Sequence, residues 1–272
     1  DPVEPGIPFA KLWRSTAIGM MIGNVVPARA GELARAYALS REHPRVSFAA
    51  AFASIAVDRV FDAVVLLLLL FAAMLDPAFP PGTRVANQPI ANWAGTGMIA
   101  LAAVLLVLYA VVLFPQRVLT LFEVVVRRLA PKLEASGRDA LVAFASGLSV
   151  LRSPTRFAAV LFWTIAHWAL NALAFWLGFR AVGIVVPFSA SLFVQGIVAI
   201  GVAIPSAPGF FGVFEAVAKE SLAVYGIGPD LAVAWAIGYH ILSFIPITVI
   251  GAVYFARLGM HLGDLGAVAE ER

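Results

Sequence analysis

The sequence predicts an all-α integral membrane protein, a helical bundle with two oppositely oriented, broken or re-entrant helical hairpins that form an inverted-repeat-like arrangement. Of its 272 residues, 61% are hydrophobic and only 13% are charged, whereas soluble domains have roughly 45–50% apolar and roughly 25% charged residues. Residues 157–179, 181–214 and 231–256 contain no charged residue, and each stretch is long enough for a spanning helix of about 20 residues. These stretches lack the two-residue alternation of a membrane β-barrel.

The first predicted hairpin covers residues 9–40 and is broken near Pro27. Its first helix, residues 9–24, has a length of about 24 Å, which is short for a membrane span. Pro27 lacks a backbone donor and ends this helix, and a more polar helix follows over residues 30–40. The sequence opens without a Met and in a Pro-rich stretch, so we expect that N-terminal sequence is missing ahead of Asp1.

The next predicted helix, residues 47–75, carries three charged residues in its interior: Asp58, Arg59 and Asp62. Asp58 lies about 16 Å from the start of the helix, near the bilayer centre. Asp58 and Asp62 share a helix face, so they repel each other unless a proton or a cation lies between them. Ionisable residues at this depth indicate function. The alternative is an ion-pair network, for example with Arg29, that fixes helix packing.

Residues 76–92 are rich in Pro, Gly and Asn and predict a loop. Apolar composition predicts spans over residues 93–114, 157–179 and 231–256.

Two segments differ from simple spans. Residues 115–156 are more polar and have apolar residues at helical spacing, which predicts amphipathic helices on the membrane surface. Residues 188–225 predict a second hairpin, broken at residues 205–209 (PSAPG).

The distribution of Lys and Arg orients the chain. When residues 41–45 are placed in the cytoplasm, residues 115–156 and most of the 19 Lys and Arg residues lie on the same side. Hairpin one then begins and ends inside, and hairpin two begins and ends outside, as in an inverted-repeat transporter. The alternative is that each half of a hairpin is a short full span, which gives the same sides.

Both hairpin tips combine Pro, Gly and Glu at the start of a helix. A helix N-terminus there presents free N–H groups and partial positive charge that bind phosphate or carboxylate, and Gly lets a head group approach closely. The predicted head-group or ion-binding residues are Arg29, Glu32, Asp58, Arg59, Asp62 and Glu215. The predicted tip residues are Asn24, Pro27, Gly31, Pro205, Ser206, Pro208, Gly209 and Gly212. The alternative for the two Glu residues is helix capping without a ligand.

His167 with Asn171, and Tyr239 with His240, form a candidate proton relay; the alternative is that they are hydrogen-bonded packing residues. The sequence has no Cys and only four His, so we expect no disulfide, no metal site and no cofactor. The net charge of +3 reflects cytoplasmic Lys and Arg, and we expect no nucleic-acid partner. No Gly-rich Lys-Ser/Thr phosphate loop is present, which argues against ATP hydrolysis.

Three ordered motifs carry a family resemblance: residues 24–32 (NVVPARAGE) with Arg35, residues 58–62 (DRVFD) and residues 205–215 (PSAPGFFGVFE). With these motifs the chain resembles the flippase-like membrane region of the lysylphosphatidylglycerol synthase family. The resemblance implies a single transmembrane domain over residues 1–272, without the soluble aminoacyl-transfer domain. The family pattern often has Pro-Gly-Gly in the second hairpin, where this chain has Phe210 in place of the second Gly.

The resemblance implies lipid translocation, and the residues imply an inverted-repeat transporter. We therefore expect a non-enzymatic flippase for a phospholipid, glycolipid or isoprenoid-linked lipid in the inner membrane of a bacterium. Arg29 and the helix N-termini hold the phosphate, while the carboxylates bind a cationic part or a proton. The expected partners are anionic, aminoacylated or isoprenoid-linked lipids, and an oligomer is compatible with the sequence. One alternative is a polyprenyl-diphosphate phosphatase, which would require a Ser or His beside an Arg at a hairpin tip; neither tip of this chain has that combination. The other alternative is an ion-coupled transporter of a small solute.

Overall fold

The computed structural model describes residues 6–26, 30–80, 82–85, 88–129, 137–138, 141–142, 153–203 and 207–261. Helices account for most of these residues, which confirms the predicted all-α class. In chain order the helices are α1 Phe9–Val25, α2 Ala30–Glu42, α3 Phe48–Met74, α4 Ile90–Leu113, α5 Pro115–Leu129, α6 Pro154–Ala181, α7 Phe188–Ala203, α8 Val213–Ala223 and α9 Pro229–Arg257. The helix bounds agree with the predicted segments to within about three residues.

The predicted loop over residues 76–92 contains a short antiparallel ladder. Its strands, β1 Arg84–Val85 and β2 Gln88–Pro89, have two residues each. The loop prediction missed this ladder because such short strands have no hydrophobic periodicity to reveal them.

Proline marks several helix starts. Pro115, Pro154 and Pro229 are the first residues of α5, α6 and α9, where a missing N–H costs no intrahelical hydrogen bond. Pro246 lies inside α9, and the helix continues through it.

The chain divides into two units, and the first comprises Asp1–Val60, Val104–Ala159 and Ile247–Arg272. Within this unit α1 and α2 run back along each other, with Gly23 of α1 beside Gly31 of α2. The end of α9 packs on α1, because Gly251 lies against the backbone of Ala17. The core between them is apolar and consists of Ile18, Met21, Ile22, Ala34, Ala38 and Met260.

The second unit comprises Phe61–Ala103 and Val160–Pro246. In it α7 and α8 contact each other, with Gly201 beside Val217. Its core is rich in aromatic side chains, and Trp235 of α9 packs against Phe175 and Phe179 of α6. Four helices, α3, α4, α6 and α9, supply residues to both units. The single domain expected over residues 1–272 remains a prediction.

Among the described residues, two helices are long and apolar enough to cross a membrane: α6 and α9. Only 6% of the most apolar window of α6 and 17% of that of α9 is buried, whereas the core helix of a soluble protein is mostly buried. Trp163 and Leu170 of α6 and Leu242 of α9 are among the exposed apolar side chains. This surface is stable in hydrocarbon rather than in water. The predicted spans over residues 47–75 and 93–114 correspond to α3 and α4, which are not among these two helices. In α3 the reason is that three charged residues interrupt the apolar sequence.

The two helices within each predicted hairpin contact each other, while the hairpins themselves stay a prediction. Hairpin one consists of α1 and α2, and hairpin two consists of α7, a short 3-10 turn at Pro208–Phe210, and α8. Pairs of this kind are compatible with re-entrant segments and with short spans alike.

Candidate functional site

The charged residues of the first unit form two ion pairs between α2 and α3. Arg35 Nη2 lies 3.4 Å from Asp58 Oδ2, and Arg59 Nε lies 3.5 Å from Glu32 Oε1. Residues 32 and 35 lie one turn apart on α2, so both face the adjacent positions 58 and 59 of α3. The structure therefore brings together Glu32, Asp58 and Arg59, and adds Arg35.

These four side chains remain accessible. The exposed fractions are 51% for Arg59, 47% for Asp58, 35% for Glu32 and 29% for Arg35. The Arg35–Asp58 and Arg59–Glu32 contacts are long for charge-assisted hydrogen bonds, which are about 2.7–2.9 Å. A charged ligand can therefore compete for these groups without first exposing a buried ion.

The tip of hairpin one has a structural contact at Asn24, whose Nδ2 donates to Thr248 Oγ1 of α9 at 2.8 Å. Gly31 is buried, and a Cβ added to it would lie 2.8 Å from the backbone nitrogen of Gly23. Close helix packing thus explains this glycine without a head group. The predicted residues Pro27 and Arg29 lie outside the described residues.

The tip of hairpin two is a turn with left-handed backbone. Gly209 has φ 65°, Phe210 has φ 61° and Gly212 has φ 84°. Positive φ favours glycine, so Phe210 adopts a backbone conformation that is rare for residues other than glycine. Pro208 begins the 3-10 turn, while the predicted tip residues Pro205 and Ser206 lie outside the described residues.

Glu215 joins this tip to α9. The backbone N–H of Gly212 donates to Glu215 Oε2 at 2.6 Å, and His240 Nδ1 lies 2.6 Å from Glu215 Oε1. The exposed fraction is 15% for the Glu215 side chain and 9% for the His240 side chain. Glu215 therefore caps α8, as the capping alternative predicted. The same carboxylate also contacts His240, which the sequence analysis grouped with Tyr239 rather than with Glu215.

Aromatic rings surround His240. The ring of Phe211, in the tip turn, is stacked on the imidazole with centroids 4.4 Å apart. Phe214 of α8 and Phe244 of α9 contribute rings at 4.8 Å and 6.1 Å. Rings from the tip turn, α8 and α9 therefore lie around the imidazole.

The other predicted residues of the second unit form separate contacts. Trp168 Nε1 donates to Asp62 Oδ1 at 2.9 Å, and the ring of His167 packs on Trp168. Asn171 Nδ2 lies 3.5 Å from the hydroxyl oxygen of Tyr239. The structure thus pairs Asn171 with Tyr239 and His240 with Glu215.

Sequence reasoning missed a further ion pair, between Arg14 of α1 and Glu42 of α2. Arg14 Nε lies 2.9 Å from Glu42 Oε1, and the Glu42 side chain is only 5% exposed. Lys11 Nζ also donates to the backbone oxygen of Glu42 at 2.8 Å. In an antiparallel hairpin the start of α1 meets the end of α2. Opposite charges at these two ends could therefore have predicted this pair.

No group of three or more His, Cys, Asp or Glu side chains that could hold a metal occurs within the part of the chain that the structure describes. Among the described residues, the two ion pairs of α2 and α3 and the Glu215–His240 pair contain the predicted site residues, and their charged groups can bind a charged ligand.

A sequence model of one protein family matches residues 2–251 of the chain, and its description is the TM region of lysylphosphatidylglycerol synthase. No curated protein and no solved structure matches the chain.

Proposed function

The chain belongs to the lysylphosphatidylglycerol synthase TM-region family, and on this premise we propose that it translocates a lipid across the membrane. The lipids that fit are phospholipids, glycolipids and isoprenoid-linked lipids with a phosphate near the head group. The protein moves the head group and makes or breaks no covalent bond.

The accessible ion pairs of α2 and α3 carry the proposal. Asp58 and Arg59 lie ten and eleven positions after the start of α3, about 15 Å along the helix. Charges at such a depth are costly, by about 2.5–3.5 kcal/mol each on insertion scales. A purely structural network reduces this cost by burial, whereas these side chains are 29–51% exposed.

A lipid head group fits this arrangement because it carries both charges. Arg59 and Arg35 can bind a phosphate, and Arg29 of the same hairpin can join them. Asp58 and Glu32 can bind an ammonium group of an aminoacylated or zwitterionic lipid. The acyl or isoprenoid chains remain in the bilayer.

The hairpins supply a path for the head group under this proposal. Each breaks at a segment that contains Pro and is followed by a helix with Glu in its first turn, Glu32 in α2 and Glu215 in α8. We propose that both turn back within the inner membrane and approach from opposite sides, with residues 41–45 and 115–156 in the cytoplasm. Irregular backbone at that depth requires a cavity or protein around it.

The test is a proteoliposome assay with fluorescent anionic, aminoacylated and polyprenyl-linked lipids. We expect one class to move with the wild type, and Arg29→Ala and Asp58→Asn to reduce its rate at least tenfold, equivalent to about 1.4 kcal/mol. Matched controls are Arg180→Ala and Asp230→Asn, because both residues are exposed and lie outside the cluster.

Two outcomes contradict the proposal. The first is that no lipid class moves at any pH with folded protein. The second is that Asp58→Asn and Asp230→Asn have equal rates. Release of phosphate from a polyprenyl diphosphate would contradict the absence of covalent chemistry.

A further inference from the structure

We infer that the Glu215–His240 pair is the proton-binding site of the proposed translocation cycle, and that a proton bound there fastens the tip of hairpin two to α9. The inference rests on the proposed function, because it names the ion that the cycle binds. It places that ion on one pair of residues rather than on the carboxylates in general.

The hydrogen bonds of Glu215 define where the proton goes. Its Oε2 accepts the Gly212 N–H and its Oε1 lies 2.6 Å from His240 Nδ1. With Nδ1–H donating to an ionised Glu215, an added proton binds at His240 Nε2. The contact then changes from a hydrogen bond between a neutral imidazole and a carboxylate to an ion pair, which adds the Coulomb attraction between two opposite charges.

The same proton strengthens a second contact to the tip. Phe211 lies in the tip turn and stacks on His240 with an interplanar angle of 19°. An imidazolium is attracted to this ring face and to the ring of Phe214. Protonation therefore tightens both Glu215, which caps Gly212, and Phe211 against α9.

The other ionisable groups near the Glu215–His240 pair have contacts of their own, so this pair is the candidate proton-binding site in this part of the molecule. On α8, Lys219 and Glu220 pair with each other at 2.9 Å. On α6, His167 packs on Trp168, and Asn171 lies beside Tyr239, the neighbour of His240 on α9. Among the described residues, Glu215 is the charged side chain that contacts His240.

The tip itself is suited to a change of state. Phe210 has φ 61°, a region that non-glycine residues rarely adopt. Such a backbone persists when the surrounding contacts hold it. Weakening the contacts of Glu215 and Phe211 with His240 allows the turn to relax.

The absence of Cys from the sequence makes tip accessibility measurable with a single thiol. Ala207 is exposed and directly precedes Pro208, so an Ala207→Cys variant of the full chain reports on the tip. Its alkylation rate is divided by that of Val185→Cys, which is 76% exposed and lies between α6 and α7. The ratio cancels the dependence of the thiolate fraction on pH.

We expect this ratio to rise severalfold as the pH increases through the range in which histidine titrates, about pH 5–8. His240→Gln keeps a donor but does not titrate, so it should abolish the step. His261→Gln is the matched control, because His261 is exposed and lies beyond the end of α9, and it should keep the step. A flat ratio in the otherwise wild-type chain, or a step that persists in His240→Gln, overturns the inference.

A second measurement covers the case in which His240→Gln fails to fold. The triple variant His43→Gln, His167→Gln, His261→Gln leaves His240 as the sole histidine of the four. Its imidazole NMR signal should respond to pH in detergent, and adding Glu215→Gln should change that response, because Glu215 contacts the ring. An unchanged response would overturn the inference.

The labelling experiment separates this inference from the proposed function because it needs no lipid substrate. A pH step without lipid movement contradicts translocation and leaves a proton-responsive tip. Lipid movement without a pH step contradicts the inference and leaves translocation intact. When both hold, the translocation rate of His240→Gln should be independent of pH over the same range.

Discussion

At the scale of single residues, Gly31 shows how one position can serve packing where sequence reasoning expected a ligand. Its Cα lies against the backbone of Gly23, so α1 and α2 approach closely at this point. Gly19 and Gly23 lie four positions apart on α1, and small residues at this spacing allow close helix contact in membranes.

We expect Gly31→Ala to lower the free energy of unfolding by about 1–3 kcal/mol, because the added methyl group overlaps backbone atoms that cannot rotate away. Gly95→Ala is the control, since a Cβ on Gly95 of α4 meets nothing within 4 Å. It should be neutral or stabilise α4 by up to about 1 kcal/mol. Denaturant unfolding in detergent measures both, and equal effects would contradict the packing role.

At the scale of helices, the contacts of α2 with α3 separate stability from function. Exposed ion pairs contribute about 0.2–1 kcal/mol, and the side chains of Arg35–Asp58 and Glu32–Arg59 are 29–51% exposed. We therefore expect these two pairs to contribute little to holding the helices together.

A double-mutant cycle tests this separation. For Arg35→Gln and Asp58→Asn we expect a coupling energy below about 1 kcal/mol in unfolding. The single variant Asp58→Asn should nevertheless reduce lipid movement at least tenfold. A coupling energy of about 3 kcal/mol or more, with lipid movement unaffected, would show that the pair is structural.

At the scale of the whole molecule, the exposed apolar surface determines the environment of the protein. Leu170 of α6 is 66% exposed and lies near the middle of that helix. In water such side chains would promote aggregation, whereas in a bilayer they face lipid chains.

We therefore expect Leu170→Arg to impair membrane integration, with a cost of about 2.5–3.5 kcal/mol for Arg at the centre of a spanning helix. Leu75→Arg is the control, because Leu75 is 83% exposed and follows the last residue of α3. Carbonate extraction of membranes measures the integrated fraction. If both variants remain equally integrated, α6 does not face lipid at Leu170.

Helix limits were predictable because they depend on local chemistry. Pro115, Pro154 and Pro229 mark where helices begin, and uncharged runs mark α6, α7 and α9. Side-chain partners were not predictable in the same way. Asn24 and Thr248 are 224 positions apart, and Asp62 and Trp168 are 106 positions apart, so only the packing of distant helices brings them together.

The helical membrane class and the positions of the charged residues of α3 were predictable, because hydropathy and charge act over neighbouring positions. The pairing of Glu32 with Arg59 and of Glu215 with His240 depends instead on tertiary packing. A carboxylate has no sequence signal for its partner, since any cation or donor on a facing helix lowers its energy. The helix that packs against it makes that choice, and for Glu215 that helix is α9.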